Sequence, residues 1–371
     1  MRIGVNLVQY TDVQGIEIFA INMLHAAISD HTNDTFVLFV NDKSQKIFAS
    51  LAAHNVVFVE SPRGVLSRMR LLLLQQWWLA VSCKKNYIDI LWCPSVAMPL
   101  WYKYKVVTIH DCADVRFPEE VSSFEAKIYL FLVHLSVKWR SLRVVTVSQF
   151  SQSEIAAVYS MLCNHIVVLS EGVPAIPAAS ENDRIWVEQK LGKKRKYFLY
   201  IGNIRPRKNI KNLLDAFALF IQKYPDISLV LAGKIDTTFF DVAAYSRCIH
   251  IENAVIQIGF VSDIEKSALY RGSIGFLFPS LYEGFGLPVL EAQSIGIPVL
   301  TSNVASLPEI SGNGAIYVNP LDVKDIVRGI EIIFTDDAIR KTIIVAGYEN
   351  IKRFSWSVGA SQLMDVLHST R

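Results

Sequence analysis

Several features that would assign this 371-residue chain to a class are missing from it. None of the five cysteines belongs to a Cys-x-x-Cys pair, so neither a zinc ribbon nor a disulfide framework is indicated. No run of about 20 apolar residues occurs, which argues against a membrane-spanning helix although 51% of the residues are hydrophobic. Asp12 arrives before a signal-peptide core could form, and we therefore expect a cytoplasmic protein.

The charge balance and the missing cofactor motifs exclude further classes. The 37 basic and 34 acidic residues give a net charge of +3, which is too small for a nucleic-acid-binding protein. Neither a G-x-G-x-x-G fingerprint nor a P-loop follows the first predicted strand, where Gly15 stands. No Asp-x-Asp pair is present, and His110, Asp111 and Asp114 lack the further ligands of a closed metal site. We therefore expect no cofactor, no metal and no nucleic-acid partner.

Short runs rich in β-branched and aromatic residues alternate with segments of helical length through almost the whole chain. Runs this apolar, separated by helices, are typical of parallel strands that are covered on both faces. The alternation predicts an α/β class with parallel sheets. The predicted strands are residues 3–8, 36–40, 56–59, 88–91, 106–110, 144–147 and 166–169 in the first half, and 198–201, 228–232, 255–258, 274–278, 298–301 and 315–318 in the second.

A stretch containing Pro and Ala over residues 172–179, followed by a polar run to residue 184, separates the two sets of strands. Such a composition is typical of a linker, so a domain boundary is predicted near residue 180. Because no dinucleotide motif is present, the expected binding site is a cleft between two Rossmann-like halves.

The segment with the most chemistry follows the predicted strand 274–278 and covers residues 279–292. Gly284 and Gly286 permit a tight turn that brings the backbone close to a ligand. Pro288 suits the first turn of a helix, predicted over residues 287–295, whose N-terminal amides favour an anionic or hydroxyl-rich ligand. Glu283 precedes this helix and Glu291 lies within it. A solvated Glu283 beside a surface helix is the alternative interpretation.

A second segment, residues 200–209, follows the predicted strand 198–201. Arg207 and Lys208 stand near its end, directly before a helix that is predicted to begin at Asn209. Two cations beside a strand end can bind a phosphate, because both donate charge-assisted hydrogen bonds to its oxygens. A solvated basic turn is the alternative interpretation.

Together these two segments resemble the retaining glycosyltransferases of family 4. That family has a motif of Glu, seven residues and Glu, usually written E-G-F-G-L-P-x-x-E, which is unbroken here from Glu283 to Glu291. It also has an Arg/Lys turn after the first strand of its C-terminal domain, which matches Arg207 and Lys208. Further matches extend over nearly the whole chain, at residues 15–17, 108–111, 116–119, 147–151, 259–263, 306–309 and 354–356.

The resemblance implies the GT-B fold, in which two Rossmann-like domains with parallel sheets face a central cleft. Residues 1–180 would form the N-terminal domain that binds the acceptor, and residues 181–355 would form the domain that binds the nucleotide sugar. A helix over residues 356–371 would pack back toward the N-terminal domain. The implied activity is that of a retaining, metal-independent hexosyltransferase.

In the C-terminal domain, the resemblance implies that Glu291 binds the ribose hydroxyls of the donor and that Glu283 faces the transferred sugar. Lys208, with Arg207, would neutralise the diphosphate as it leaves, so that the developing charge is stabilised without a metal. Three successive backbone amides would hold sugar hydroxyls and the distal phosphate, those of Phe285, Gly286 and Leu287.

In the N-terminal domain, Gly15 would bring backbone amides to the same phosphates and His110 would lie against the sugar. A histidine satisfied at a strand end is the alternative for His110. The chain departs from the family at Gln14, where a second glycine is common, and this leaves the shape of the acceptor side open. It departs again at Asn203, where many members have Arg, so one phosphate contact is missing or is supplied by Arg205.

Residues 280–291 and 302–309 resemble bacterial mannosyltransferases of polysaccharide and O-antigen assembly. The resemblance favours GDP-mannose as the donor and a lipid-linked or oligosaccharide acceptor, in lipopolysaccharide biosynthesis. A dTDP-rhamnose or UDP-sugar donor, a GT-B sugar-nucleotide epimerase and a non-catalytic partner in polysaccharide assembly are the alternatives.

Residues 61–86 contain five basic residues and no acidic one, together with the pair Trp77 and Trp78. Basic residues attract anionic lipid and tryptophan favours the membrane interface, so the segment predicts peripheral attachment at the inner face of the plasma membrane. A buried helix with a solvated basic edge is the alternative.

Overall fold

The computed structural model describes residues 1–11, 15–62, 75–100, 102–121, 124–139, 143–192 and 196–370. The chain separates into two compact units. The first comprises residues 1–172 and the segment from residue 354 onwards, and the second comprises residues 173–353. Each unit contains one parallel sheet with accompanying helices.

The sheet of the first unit places the first strand in its interior, as the third of seven strands. Its strands are β1 (Arg2–Asn6), β2 (Thr35–Val40), β3 (Val56–Glu60), β4 (Ile90–Cys93), β5 (Lys105–Thr108), β6 (Arg143–Thr146) and β7 (Ile166–Val168). The strand order in this 7-stranded sheet is β3-β2-β1-β4-β5-β6-β7, and the paired strands are parallel. The chain reverses its direction of progress between β1 and β4, and loops at the carboxyl ends of strands beside such a point are where α/β proteins bind ligands.

The first unit's helices surround a core of aliphatic and aromatic side chains. They are α1 (Gly15–Asp30), α2 (Asp42–Ile47), α3 (Ala80–Lys85), α4 (Ala113–Arg116), α5 (Phe124–Trp139), α6 (Gln149–Tyr159) and a C-terminal helix (Trp356–Ser369), with shorter turns at Ala49–Leu51, Gln75–Leu79, Pro118–Glu120 and Cys163–His165. The C-terminal helix lies tightly against the segment after β7, because a Cβ on Gly359 would come within 1.9 Å of Ser170 O. Ser170 N also donates to Gln362 Oε1 at 2.8 Å.

The second unit repeats this architecture with a 6-stranded sheet. Its strands are β8 (Lys196–Ile201), β9 (Ile227–Ala232), β10 (Val255–Gly259), β11 (Gly275–Phe278), β12 (Val299–Ser302) and β13 (Ile316–Val318). The order β10-β9-β8-β11-β12-β13 makes β8 and β11 parallel neighbours at the switch point. The segments that follow these two strands, residues 202–209 and 279–286, therefore emerge side by side at the carboxyl edge of the sheet.

The helices of the second unit are amphipathic or apolar elements packed around one continuous core. They are α7 (Glu181–Leu191), α8 (Ile210–Lys223), α9 (Val242–Cys248), α10 (Asp263–Gly272), α11 (Leu287–Ile295), α12 (Leu307–Ser311), α13 (Val323–Thr335) and α14 (Asp337–Ile351), with a 3-10 turn at Pro206–Lys208. Helix α11 has the bounds that the sequence predicts.

The predicted α/β class is confirmed, and every predicted strand has a counterpart in the structure. The bounds of β4 differ from the prediction, since the strand begins at Ile90 rather than at residue 88. Ile88 N instead donates to Cys83 O at 2.9 Å, which closes the end of α3. Ile88 is therefore a core residue at the end of a helix, not a strand residue.

Candidate functional site

The turn between β11 and α11 is held in shape by its glycine and by one buried serine. Gly286 has φ +117, a conformation that L side chains rarely adopt, and it precedes Leu287, the first residue of α11. Pro288 occupies the first helical turn, as predicted. Ser306 Oγ lies 2.9 Å from Glu283 O and 2.8 Å from Phe285 O, so its single hydroxyl proton is shared between the two carbonyls of the turn. Pro288 has no N–H and Val289 N donates to Gly286 O at 2.9 Å, so the amides that stand at the N-terminus of α11 are those of Gly286 and Leu287.

The 3-10 turn Pro206–Lys208 is joined directly to this segment. Leu281 N donates to Arg207 O at 2.8 Å. Asn209 follows the turn in the left-handed conformation with φ 60, and its buried Nδ2 donates to Pro279 O at 3.0 Å and to Pro320 O at 2.7 Å. The backbone of the two cationic residues is therefore fixed relative to the Glu283 turn.

Glu283 forms an ion cluster with both cations. Its side chain is buried, with 6% of the residue exposed, and Lys208 Nζ lies 2.5 Å from Oε1. Arg207 Nη1 donates to Glu283 Oε2 at 3.1 Å and to Tyr282 O at 3.3 Å. A solvated Glu283 and a solvated basic turn, the two alternatives left open by the sequence, are both wrong in this structure.

The electrostatics of this cluster favour an anion. Burial alone raises the pKa of the Glu283 carboxyl, but Lys208 and Arg207 outweigh it and hold the pKa below its ordinary value. One carboxylate beside two cations leaves a net positive charge in a poorly solvated place. Lys208 Nζ also lies 5.0 Å from the centroid of the Phe278 ring, a cation–π contact that helps to hold the ammonium at the strand end.

Glu291 belongs to a second, separate polar group. It is 4% exposed, and Lys266 Nζ lies 2.8 Å from its Oε1 while Tyr270 Oη lies 3.2 Å from its Oε2. Neither Lys266 nor Tyr270 is among the site residues predicted from the sequence. In the sequence, their spacing of four residues indicates only that they share one face of α10, the helix that Ser262 caps. Nothing local in the sequence connects that helix to Glu291.

His110 lies in the first unit, just beyond the carboxyl end of β5. Its Nε2 is 2.9 Å from Pro94 O and its ring meets Phe19 of α1 edge-on, with centroids 4.8 Å apart. A carbonyl oxygen only accepts, so Nε2 carries the proton and Nδ1 is left as an acceptor. Burial lowers the pKa of His110, a shift that the Pro94 carbonyl opposes in part, and the neutral ring is therefore favoured.

Gly15 is the first residue of α1, in the same unit as His110. A Cβ placed on Gly15 would meet no atom within 4 Å in the described part of the chain, so the space beside it is open. Gln14, the first departure from the family, lies outside the described residues. The second departure from the family is Asn203, for which Arg205 is the possible substitute. The Arg205 guanidinium lies 4.5 Å from the centroid of the Phe239 ring.

The structure thus brings Arg207, Lys208 and Glu283 together, and it places the amides of Phe285, Gly286 and Leu287 at the end of the same turn. Within the described ranges, no three His, Cys, Asp or Glu side chains are grouped so that they could hold a metal ion. Asp111 instead accepts a hydrogen bond from Ala113 N at 2.9 Å.

Comparisons with known proteins identify the family of the chain. Residues 182–350 match the family described as "Glycosyl transferases group 1". The chain is 32% identical over 292 residues to the O-antigen chain mannosyltransferase B of Escherichia coli, which covers 76% of this chain and 74% of that protein. It is 29% identical over 284 residues to the O-antigen chain mannosyltransferase RfbU of Salmonella typhimurium, with 75% and 74% covered.

Solved structures share the whole architecture. WaaG, a glycosyltransferase involved in lipopolysaccharide biosynthesis, superposes with a TM-score of 0.74 at 14% identity over 99% of this chain and 100% of that chain. Anabaena Alr3699/HepE, solved with UDP and glucose, gives a TM-score of 0.75 at 20% identity over 100% of both chains. These likenesses show the fold, and the sequence relatives show the family. The chain belongs to the glycosyl transferases group 1 family and is a glycosyltransferase with the GT-B fold.

Proposed function

We propose that the chain transfers mannose from GDP-mannose to a lipid-linked or oligosaccharide acceptor in the biosynthesis of a bacterial surface polysaccharide, with retention at the anomeric carbon. The observation that carries the proposal is the similarity, over about three quarters of the chain, to two proteins named O-antigen mannosyltransferases. A dTDP-rhamnose or UDP-sugar donor is the alternative. In this proposal the unit of residues 173–353 binds the donor and the unit of residues 1–172 binds the acceptor.

The ion cluster of the second unit supports the donor part of the proposal. Transfer breaks the bond between the sugar carbon and the phosphate oxygen, and the departing nucleoside diphosphate gains negative charge. Lys208 and Arg207 provide two cations for it, and the amides at the start of α11 provide further donors. As the diphosphate binds, it takes over the cations from Glu283, whose carboxylate then accepts hydrogen bonds from the sugar hydroxyls.

Retention follows in this proposal from the position of the leaving group. No enzymic nucleophile is required when the leaving phosphate oxygen takes the proton of the acceptor hydroxyl, because attack then occurs on the face that the diphosphate leaves. His110 acts as a neutral contact for the sugar, since its Nδ1 accepts while Nε2 is held by Pro94. Gly15 lets the first amides of α1 approach the phosphates.

The activity test uses purified protein and a lipid-diphosphate oligosaccharide acceptor. GDP-mannose, dTDP-rhamnose and UDP-glucose are each supplied, and the lipid extract is analysed by mass spectrometry. We expect a hexose to be added from GDP-mannose alone. Transfer from another donor would replace the donor assignment, and conversion of a donor in the absence of acceptor would indicate an epimerase instead.

We further propose that the first unit touches an anionic membrane surface, where a lipid-linked acceptor lies. Helix α5 exposes Phe124, Ile128 and Phe131, which are four and three residues apart and therefore share one helix face. Phe124 is 77% exposed. An apolar helix face of this kind can lie in a membrane interface without crossing it.

The turn Gln75–Leu79 exposes a further large apolar side chain in the same unit. Trp77 is 74% exposed, whereas Trp78 packs edge-on against Phe39 with ring centroids 6.0 Å apart, so only one of the two tryptophans fits the expected exposed pair. The nearby Lys84 and Lys85 are exposed. The three arginines of the predicted basic segment lie outside the described residues. Across the described parts of the chain, no helix has the combined length and apolarity needed to cross a bilayer.

Flotation with vesicles of phosphatidylglycerol and phosphatidylcholine tests the membrane proposal. The protein should float at low salt and be released at high salt, because lysine attracts anionic lipid by about 1 kcal/mol per residue. Phe131→Ser should weaken flotation, and Val345→Ser on α14, an equally exposed apolar position of the other unit, should not. No binding at low salt would overturn the proposal.

A further inference from the structure

Lys266 and Tyr270 lie one helical turn apart on α10 and contact the two oxygens of one carboxylate. Lys266 Nζ is 2.8 Å from Glu291 Oε1, and Tyr270 Oη is 3.2 Å from Glu291 Oε2. Side chains four residues apart project from the same helix face, so α10 presents an ammonium and a hydroxyl as a pair toward α11. Each oxygen of Glu291 therefore has a partner of its own.

This pair of contacts is rigid and charged. The Tyr270 ring is fully buried and meets Phe276 of β11 edge-on at 5.3 Å, and its Oη also lies 3.2 Å from Pro288 O in the first turn of α11. Burial opposes the charged form of Lys266, but Glu291 and Asp263 outweigh it and raise the lysine pKa, so the ammonium stays protonated. Asp263 Oδ1 is 3.2 Å from Lys266 Nζ.

The remaining hydrogen-bonding capacity of Glu291 suits a vicinal diol. A carboxylate offers about four lone-pair positions, two on each oxygen. Lys266 occupies one position on Oε1, and Tyr270 occupies one on Oε2 with a single proton that it shares with Pro288 O, so one acceptor position remains on each oxygen. Both remaining positions are held at a fixed orientation, because the carboxylate cannot rotate without losing both partners.

We propose that Lys266 and Tyr270 are positioning residues that orient Glu291 to accept one hydrogen bond from each of the two ribose hydroxyls of the donor. The inference rests on the proposed donor-binding role of Glu291. In this proposal both residues act through Glu291, which each of them contacts.

The test compares the binding of GDP and of 2′,3′-dideoxy-GDP by titration calorimetry. The wild-type protein should bind GDP at least about tenfold more tightly, because the dideoxy compound lacks both charge-assisted hydrogen bonds to Glu291. In Lys266→Met the ratio of the two dissociation constants should fall close to one. In Tyr270→Phe, which removes a single hydroxyl, it should fall severalfold, and in Lys266→Arg it should be largely retained.

A double variant separates positioning from general structural support. If Lys266 acts through Glu291, Lys266→Met combined with Glu291→Gln should show the same ratio as Glu291→Gln alone. Lys352→Met, which removes another lysine that is ion-paired with a glutamate, is the control and should leave the ratio unchanged. A purely structural role would weaken the binding of both nucleotides equally, and an unchanged ratio in Lys266→Met and Tyr270→Phe would overturn the inference.

The experiment also distinguishes this inference from the donor assignment. Should UDP bind in place of GDP, the proposal of GDP-mannose fails, and the comparison of UDP with 2′,3′-dideoxy-UDP tests the positioning role unchanged. If the wild-type protein binds a nucleoside diphosphate tightly but binds its dideoxy analogue equally well, the inference is overturned. Tyr270→Phe keeps the test decisive even where Lys266→Met fails to fold.

Discussion

At the scale of single residues, Lys208 and Glu291 are the side chains whose loss should cost the most activity. Lys208 is proposed to stabilise the leaving diphosphate and Glu291 to hold the ribose. Replacing either one by alanine should lower the rate of transfer at least about 100-fold, because preorganised charged contacts of this kind contribute several kcal/mol. Lys352→Ala serves as the control for the removal of a lysine that pairs with a glutamate at the surface.

Circular dichroism of the same variants separates a lost contact from a lost fold. Lys208→Ala leaves Glu283 with Arg207 as its remaining ion-pair partner, so some loss of stability accompanies the loss of activity. Near-normal turnover by either variant, with its fold retained, would count against the assigned site.

The buried carboxyl of Glu171 leads to a prediction about the pH dependence of stability. The residue is 2% exposed, and its Oε2 has no hydrogen-bond partner among the described residues. Burial raises the pKa of this carboxyl from 4.5 to about 8. The folded protein therefore holds a proton that the unfolded chain releases, and this group makes stability fall as the pH rises from about 4.5 to about 8.

Glu171→Gln should remove that dependence. Relative to the wild-type protein, the variant should be more stable at pH 8 by on the order of a few kcal/mol, and the difference should shrink steadily toward pH 5. Thermal unfolding followed at several pH values measures it, with the exposed Glu188→Gln as the control. A difference that does not change with pH would show that the buried carboxyl titrates normally.

The sequence supplies the candidate residues of the site but not the way in which they are paired. Glu283, Lys208 and Arg207 stand in recognisable motifs, yet nothing local indicates that they form one buried ion cluster. That pairing depends on β8 and β11 being neighbours in the sheet. Lys266 lies in no recognised motif. Its contact with Glu291 arises from the packing of α10 against α11, which the local sequence does not reveal.

At the scale of secondary-structure elements, Asn209 links the cationic turn to the rest of the sheet edge. It combines a left-handed backbone with two hydrogen bonds from its buried amide. Asn209→Gly keeps the backbone freedom and loses the bonds, whereas Asn209→Ala loses both. Alanine should therefore destabilise the fold by about 1 kcal/mol more than glycine does.

Urea unfolding of the two variants measures this difference. Equal stability of the glycine and alanine variants would show that the left-handed conformation at residue 209 does not constrain the turn. Asn253 is exposed and lies outside the turn, so Asn253→Gly and Asn253→Ala are the matched control substitutions.

The elements themselves follow well from local sequence. Helix α11 has the predicted bounds because Gly286 and Gly296 flank it, each in a left-handed conformation with φ +117 and +82. The strands are also predicted from local sequence, since each is a short apolar run between helical segments. The start of β4 was missed because Ile88 is apolar in both possible settings, and only the hydrogen bond to Cys83 O assigns it to the helix end.

At the scale of the whole molecule, the proposed chemistry predicts that transfer does not require a divalent metal. Lys208, Arg207 and the N-terminus of α11 would supply the positive charge that an Asp-x-Asp enzyme obtains from its ion. Activity should therefore persist in EDTA at a level within about twofold of the untreated enzyme, as measured with the lipid-linked acceptor. Complete loss that Mn²⁺ restores would reject the metal-free mechanism.

The sequence predicts that the chain has two parts, but it predicts the residues at which they divide less well. A composition change marks a boundary near residue 180, whereas the compact units divide after residue 172 and again after residue 353. The close approach of Gly359 to Ser170, which joins the C-terminal helix to the first unit, connects positions far apart in sequence and has no local signature.

If this chain is a retaining mannosyltransferase, as proposed, its product must keep the anomeric configuration of the donor. GDP-mannose, in which mannose is α-linked, is incubated with the purified protein and a lipid-linked acceptor, and the isolated product is analysed by NMR. We expect one α-linked mannosyl residue to be added for each GDP released. A β-linked mannosyl product, or release of GDP and mannose without any glycoside, would contradict it.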